Sequence, residues 1–437
     1  MGGIAVLAKQ AGFEVSGVDA NVYPPMSTQL EEQGIVLEQG YSDSLDGRDD
    51  AELVIGNALS RGNPLVEYIL NNRLRYNSGA QWLSENVLCN KHVLAVSGTH
   101  GKTTTSSMLA WILEYAGLKP GFLIGGVPEN FGISARLGES DYFVVEADEY
   151  DTAFFDKRSK FVHYRPSTLI INNMEYDHAD IFPDMAAIQR QFHHLIRTVS
   201  SNGVIIAPNN HINIDGVLQQ GCWSKIERTS IAESLAKGWS AENISRDTST
   251  FDICFDGKKL ATVDWELQGM HNVENALAAF AAATDIDINP ETIAAALAAF
   301  KGVKRRMELR GRVNNISVYD DFAHHPTAIK LTLEGLKAKV GADRVIAVFE
   351  PRSNTMKMGV HKNTLAAAFS AADRVFMLKT DGIDWQLKNA TAIEQLAKVA
   401  EIVAAVVKES REGDHILVMS NGAFGGIHQK LLEALAK

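Results

Sequence analysis

Ser97-Gly98-Thr99-His100-Gly101-Lys102-Thr103-Thr104 is entered by the apolar run Val93-Leu94-Ala95-Val96 and left by a periodic apolar stretch. It reads as a phosphate cradle between a buried strand and a helix. Glycines let the backbone wrap close to phosphate, Lys102 supplies a compact positive charge, and the Thr103 hydroxyl suits Mg2+. A nucleoside triphosphate is therefore the first candidate ligand. The generic cradle has a glycine where this chain has Val96, so the motif departs from the common pattern at one position. Beyond it, Met108, Leu109, Ile112, Leu113 and Ala116 mark one face of a helix closed at Gly117.

A chain of 437 residues exceeds one ordinary core and predicts two to four domains. With 46% apolar and 22% charged residues, the composition is that of a globular protein. No window approaches the length of continuous apolar sequence that a membrane helix needs, and no basic leader with a cleavage site is read. The three cysteines, Cys89, Cys222 and Cys254, are far apart and show no metal-ligand spacing, which suits a reduced, cytoplasmic setting. A formal charge of -11 argues against a general nucleic-acid binder. Acidic substrates stay open, because local lysines and arginines matter more than the total.

The expected fold class is α/β in three segments. In residues 1–88, Glu14-Val15-Ser16-Gly17-Val18-Asp19 and Leu53-Val54-Ile55-Gly56-Asn57 read as strands ending in polar groups. The chain opens directly into a helical stretch at 4–10, where a doubly wound domain has a strand and glycine turn first, so residues are expected upstream. In residues 89–303, Tyr142-Phe143-Val144-Val145 and Thr168-Leu169-Ile170-Ile171 read as buried strands. Residues 251–257 and 260–267 read as a hairpin around Asp256-Gly257, followed by helices over 273–283 and 290–300. The basic, glycine-containing stretch Lys301-Gly302-Val303-Lys304-Arg305-Arg306 reads as a linker. In residues 304–437 the α/β pattern restarts, with strands at 317–319, 344–349, 374–378 and 415–419.

Three central strands run into polar sequence of complementary kinds: the cradle, Glu146-Ala147-Asp148-Glu149-Tyr150-Asp151, and Asn172-Asn173-Met174-Glu175-Tyr176-Asp177-His178. In a parallel sheet these ends share one edge, which places Thr103, Glu146 and His178 to converge on Mg2+. Asp148, Glu149 and Asp151 are read as a solvated or supporting cluster. Asn272 and Asn275 open the alanine-rich helix three residues apart, so one is placed to cap it and the other to contact a base or ribose. Arg305 and Arg306 are placed to close over phosphate or to be an ordinary solvated linker. In the last segment His324 and His325 lie close to Asp320 and Asp321, yet the sequence supplies no firm tetrahedral set for zinc. Arg352 offers a fork suited to carboxylate or phosphate, with Lys357 as a second charge.

Together, Gly98 to Thr104, Glu146-Ala147-Asp148-Glu149, Asp177-His178, His271-Asn272 with Asn275, and Asp321 with His324-His325-Pro326-Thr327 resemble, in order, the landmarks of the Mur ligases. That resemblance covers nearly the whole chain. It implies a Rossmann-like first domain (1–88) for the UDP sugar, a central P-loop ATPase-like domain (89–303) for ATP, and a Rossmann-like last domain (304–437) for the incoming peptide. Asp19-Ala20-Asn21-Val22-Tyr23-Pro24-Pro25-Met26-Ser27, residues 155–164 and Glu350-Pro351-Arg352-Ser353-Asn354-Thr355-Met356-Lys357 look like the branch that joins L-alanyl-γ-D-glutamyl-meso-diaminopimelate to UDP-N-acetylmuramate in cell-wall recycling. The branch that adds free L-alanine is the alternative, and a non-catalytic nucleotide or muropeptide sensor is the alternative of another class.

The implied chemistry is phosphorylation of the lactyl carboxylate by ATP, then attack of the peptide amine on the acyl phosphate. By the resemblance, Lys102, Glu146 and His178 are catalytic, and Thr103, Glu146 and His178 hold Mg2+. Gly98, Thr99, His100, Gly101, Lys102, Thr103, Thr104, Asn272, Asn275, Arg306 and Asp321 line the ATP site. Asp19, Ser60, Asn63, His324, Arg352, Asn354 and Lys357 contact the other substrates, with Asn57 a further uridine candidate. Gln191 and Phe192 stand where some members of the family carry a carbamylated lysine, so metal and substrate are organised without that group. Closure of the last domain on the central one makes 301–306 the expected hinge.

Overall fold

The computed structural model describes residues 1–23, 26–45, 47–380, 383 and 393–437; Pro24 and Pro25 of the stretch quoted above lie outside the described residues. The central body is built on a ten-stranded sheet. From Gly121–Leu123 the order runs through Tyr142–Glu146, His92–Ser97, Thr168–Ile171, Val204–Pro208 and Lys225–Ser230 to Trp239–Glu242, all parallel. The hairpin Thr250–Phe255 and Lys258–Asp264 extends it antiparallel about Asp256-Gly257, as its turn chemistry predicts. Ala135–Arg136 closes the other edge.

His92–Ser97 and Thr168–Ile171 lie side by side and are covered on both faces, which is why they read as unbroken apolar runs. On one face the cradle helix Lys102–Tyr115 packs with the alanine-rich helix Met270–Asp285. Almost every residue of the latter from Val273 to Ala283 is buried, since small side chains let two helices and a sheet approach closely. On the other face, Phe143, Val145, Leu169 and Ile171 meet Phe161, Ile188, Phe192 and Leu195, joined by Leu7 and Ala8 of the first helix, Gly2–Gln10.

In the first segment, Ser16–Asp19 pairs in parallel with Val36–Gln39, and Leu53–Ile55 with Tyr76–Ser78, as two separate pairs among the described residues. The C-terminal body carries a six-stranded sheet ordered Glu308–Val313, Ile316–Asp321, His415–Met419, Val345–Phe349, Arg374–Leu378 and Ile393–Leu396, parallel except for the first strand. That first strand turns into the second through Asn314-Asn315, both with left-handed backbone. The linker is held on one side: Val303 bridges Pro128, and the Lys304 amide donates to the Val127 carbonyl. Arg305 and Met307 then take positive φ of 61° and 53° as the chain enters the C-terminal sheet.

Candidate active site

The carboxyl ends of His92–Ser97, Tyr142–Glu146 and Thr168–Ile171 share one edge of the sheet, so the three polar runs meet there as the strand pattern predicts. The cradle turns on two glycines with positive φ. At Gly98 (130°) an added Cβ would fall 3.0 Å from the Asn173 carbonyl, and at Gly101 (80°) it would fall 2.4 Å from Asn275 Oδ1. No larger residue fits either corner. Gly101 caps the helix that begins at Lys102, so the first turn's free amides point into the loop.

Lys102 is buried, and its ammonium donates to the Gly98 carbonyl (2.7 Å) and to Glu149 Oε2 (2.9 Å), with Asp148 at 3.5 Å. Burial opposes its charge, but Glu149 and Asp148 outweigh that penalty and raise its pKa. Glu149 is only 3% exposed, so of the two readings of its cluster it takes the supporting one, while Asp148 and Asp151 are part-exposed. Its second oxygen meets His178 Nε2 at 3.1 Å. Burial works against its carboxylate, yet Lys102 and His178 hold the pKa down at about 2. Burial also works against a charged His178, but Glu149 overrides it and raises that pKa.

Thr103 and Glu146 do come together. The Thr103 hydroxyl donates to Glu146 Oε1 (2.8 Å), and the Gly125 amide donates to Oε2 (2.6 Å). Burial and the nearby Asp148 push the Glu146 pKa up. A hydroxyl hydrogen-bonded to a buried carboxylate whose charge its surroundings disfavour offers oxygen donors to a hard divalent cation. His178 is not in this pair; it belongs to the Lys102–Glu149 chain.

The asparagine expectation is corrected in part. The helix Met270–Asp285 is capped by Gly269, so neither Asn272 nor Asn275 caps it. Asn272 Nδ2 instead donates to the Gln268 carbonyl, and Asn275 is buried against Gly101 and Asn172. Arg306 reaches the cradle, with Nη2 3.4 Å from Thr103 Oγ1. Arg305 turns away to the carbonyls of Ser420 and Gly422. Asp321 is buried with its oxygens accepting the amides of Met307 and Ala323, and so orders the linker's exit.

His324 Nδ1 lies 3.0 Å from the Phe322 carbonyl, and burial lowers its pKa to about 4. Arg352 is exposed and lies against Gly422, where a Cβ would meet its Nη1 at 2.1 Å. Lys357 is also exposed, while Asn354 is engaged across the bodies, donating to Asp180 Oδ2 (2.8 Å). At the first segment, Asp19 and Ser60 are exposed and Asn63 caps the helix Pro64–Asn71. Gln191 Oε1 accepts the Ser159 amide and Phe192 is buried edge-to-face on Phe161.

Sequence reasoning missed the contacts that close the C-terminal body over this edge. Thr355 donates to Asp177 (2.9 Å), Thr327 donates to Glu175 (2.7 Å), and His100 meets His325 at 3.1 Å. The phrases containing them are visible in the sequence, but the pairings are long-range. A cavity of about 560 Å³ lined by Gln81, Glu85, Lys91, Arg158 and His163 opens beside Lys91 and Arg165. These residues precede the first and third of the three strands, so it lies at their amino ends, opposite the cradle.

Comparison with known proteins agrees with this layout. Residues 96–283 match the Mur ligase middle domain, 305–422 the family's glutamate ligase domain, and 1–88 a model described as Mur ligase family, catalytic domain. The chain is 56% identical to UDP-N-acetylmuramate–L-alanyl-γ-D-glutamyl-meso-2,6-diaminoheptandioate ligase of Escherichia coli, covering 100% of this chain and 96% of that protein. It is 32% identical to the UDP-N-acetylmuramate–L-alanine ligase of Caldicellulosiruptor bescii, over 97% of this chain and 93% of that one. The crystal structure of a murein peptide ligase from Psychrobacter arcticus superposes with a TM-score of 0.76 at 49% identity, covering 100% of this chain and 96% of that one. With all three of its segments matched and relatives more than half identical over its full length, the chain belongs to the Mur ligase family.

Proposed function

We propose that this protein joins L-alanyl-γ-D-glutamyl-meso-diaminopimelate to UDP-N-acetylmuramate at the expense of ATP, giving UDP-N-acetylmuramoyl-tripeptide, ADP and phosphate. The observation that carries the choice of tripeptide over alanine is the step in full-length similarity, from 56% with the tripeptide ligase to 32% with the alanine ligase. We assign 1–88 to the sugar nucleotide, 89–303 to ATP and 304–437 to the peptide, and place the enzyme in the cytoplasm, in keeping with its three free cysteines.

In this reading the amides of the cradle and the Lys102 ammonium receive the ATP phosphates. Glu149 keeps Lys102 charged and aimed. Thr103 and Glu146 would hold Mg2+, with His178 swinging from Glu149 to assist; the ion would offset repulsion between phosphate oxygens and the acceptor carboxylate. Arg306, tethered near Thr103, adds charge on the side facing the C-terminal body. The acceptor carboxylate takes the γ-phosphoryl group, the alanyl amine attacks the resulting acyl phosphate, and phosphate departs. Thr327, Thr355 and Asn354 close the C-terminal body over the edge and exclude water from the acyl phosphate. The pinning of Val303 and Lys304 to the central body puts the hinge at 305–307, where Arg305 and Met307 are left-handed.

Arg352 is exposed on the same loop as Asn354 and is free to take a peptide carboxylate. The test is a competition assay with ATP and UDP-N-acetylmuramate, offering free L-alanine against the tripeptide. Preference for the tripeptide is expected. Preference for alanine would move the enzyme to the alanine-adding branch, and no ADP formed with either amine would point to a non-catalytic nucleotide sensor.

A further inference from the structure

Three ligand-type atoms from distant parts of the chain converge outside the Thr103–Glu146 pair. His100 Nε2 lies 3.1 Å from His325 Nδ1 and 3.5 Å from Glu175 Oε2. His325 Nδ1 is 3.6 Å from the same carboxylate oxygen. A point equidistant from three atoms with these separations is about 2.0 Å from each, the distance at which Zn2+ binds imidazole nitrogen and carboxylate oxygen. The separations are also those between neighbouring ligands of a tetrahedral ion, roughly 3.3 Å at that bond length. In the same region, the His361 ring stands 4.4 Å from His325, edge-to-face, and its Nε2 is buried with no hydrogen-bond partner among the described residues.

We propose that His100, Glu175 and His325 form a binding site for a zinc-class divalent metal that bridges the central and C-terminal bodies. Two imidazoles and one carboxylate favour a borderline transition metal over Mg2+, which takes oxygen ligands. The site is not built from the neighbouring group His324, His325, Asp320 and Asp321, which offers no firm zinc set in the sequence: of these only His325 takes part. Asp320 pairs instead with Arg305 and His428. Glu175 Oε2 also accepts the Thr327 hydroxyl at 2.7 Å, which orients the carboxylate as a supporting contact does in metal sites. His325 Nδ1 takes a long 3.3 Å bond from the Thr327 amide at the helix start, a contact the metal would replace.

Because His100 and Glu175 come from the central body and His325 from the C-terminal one, a bound ion locks the two together on the cradle side. Metal binding therefore favours the closed arrangement and opposes exchange of substrates, independently of which amine the enzyme ligates. The test uses the full-length chain, stripped by chelator and dialysed against zinc chloride in a large excess of Mg2+. One tightly held equivalent of zinc is expected, and cobalt(II) in its place should give the strong visible absorption of a tetrahedral site. His325→Asn keeps a side chain able to cap the helix and should lose that equivalent, as should Glu175→Gln, while His324→Ala retains it. Circular dichroism of the metal-free proteins checks that the variants fold, and Glu175→Gln decides if the capping variant does not. Zinc binding undiminished in both variants, or no tight equivalent in the parent, would overturn the proposal.

Discussion

Replacing Glu149 by glutamine removes the carboxylate that Lys102 and His178 share, and the outcome can be worked from the geometry. The Lys102–Glu149 contact is 2.9 Å with side chains 10% and 4% exposed, so their gross attraction is about 6 kcal/mol at an effective dielectric constant near 20. Desolvation offsets much of this, but breaking one side of such a pair leaves the other charge buried, at a cost of about 3–5 kcal/mol. Asp148, at 3.5 Å from Lys102, recovers part of the loss. We therefore expect Glu149→Gln and Lys102→Met each to destabilise the central body by roughly 3 kcal/mol, and the double variant to cost about 2 kcal/mol less than their sum. Urea unfolding followed by tryptophan fluorescence, with the two single variants and the double, gives that coupling directly. In Glu149→Gln, His178 loses the partner that overrides its burial, so its pKa should fall from the raised value of the parent, observable by NMR. Additivity of the two substitutions within about 0.5 kcal/mol would refute the description of Lys102 and Glu149 as one electrostatic unit.

Glu146→Ala should cut turnover by about 10²–10³-fold or more with the fold retained; unimpaired ligation at ordinary Mg2+ would remove Glu146 from the metal site. Arg352→Ala should raise KM for the tripeptide by about ten- to a hundredfold, the worth of a charge-assisted hydrogen bond, and leave KM for ATP nearly unchanged; an unaltered peptide constant would refute the assignment. Asp156 is held down at about 2, chiefly by its hydrogen bonds from Arg158. A depressed carboxylate stabilises the fold above its unfolded value near 4 and loses that contribution as pH falls toward 2. Thermal melts of Asp156→Asn should thus converge with the parent at the acid end and fall below it above pH 5, by an amount reduced because Arg158 is half exposed.

The three strands that build the reaction edge were legible because each is short, apolar and followed at once by polar sequence, the mark of a buried parallel strand. The hairpin about Asp256-Gly257 was legible from its turn. Lys225–Ser230 was not, since Lys-Ile-Glu-Arg-Thr-Ser carries too few apolar residues to announce a strand, and only its neighbours in the sheet fix it. Within Asp148, Glu149 and Asp151 no local signal says which carboxylate turns inward; that is decided by where Lys102 lies. The asparagine pair misled because Gly269 takes the cap three residues earlier than Asn272. The contacts of His100, Glu175 and Thr355 with His325, Thr327 and Asp177 join residues far apart in the chain, and no periodicity encodes them.

The alanine-rich helix behind the cradle has a consequence for how this protein can change over generations. Its side chains stop at Cβ over most of the buried face, so the helix carrying Lys102 rests on backbone more than on adjustable side chains. Such a joint has little slack: a single added methylene where this helix packs on Lys102–Tyr115 must be absorbed by shifting one helix against the other. Drift is channelled to the outer bodies, where Arg352, Asp19 and Ser60 are exposed and a replacement meets no packed neighbour. New amine or sugar acceptors are then reached by rewriting the periphery while the middle of the molecule stays nearly fixed.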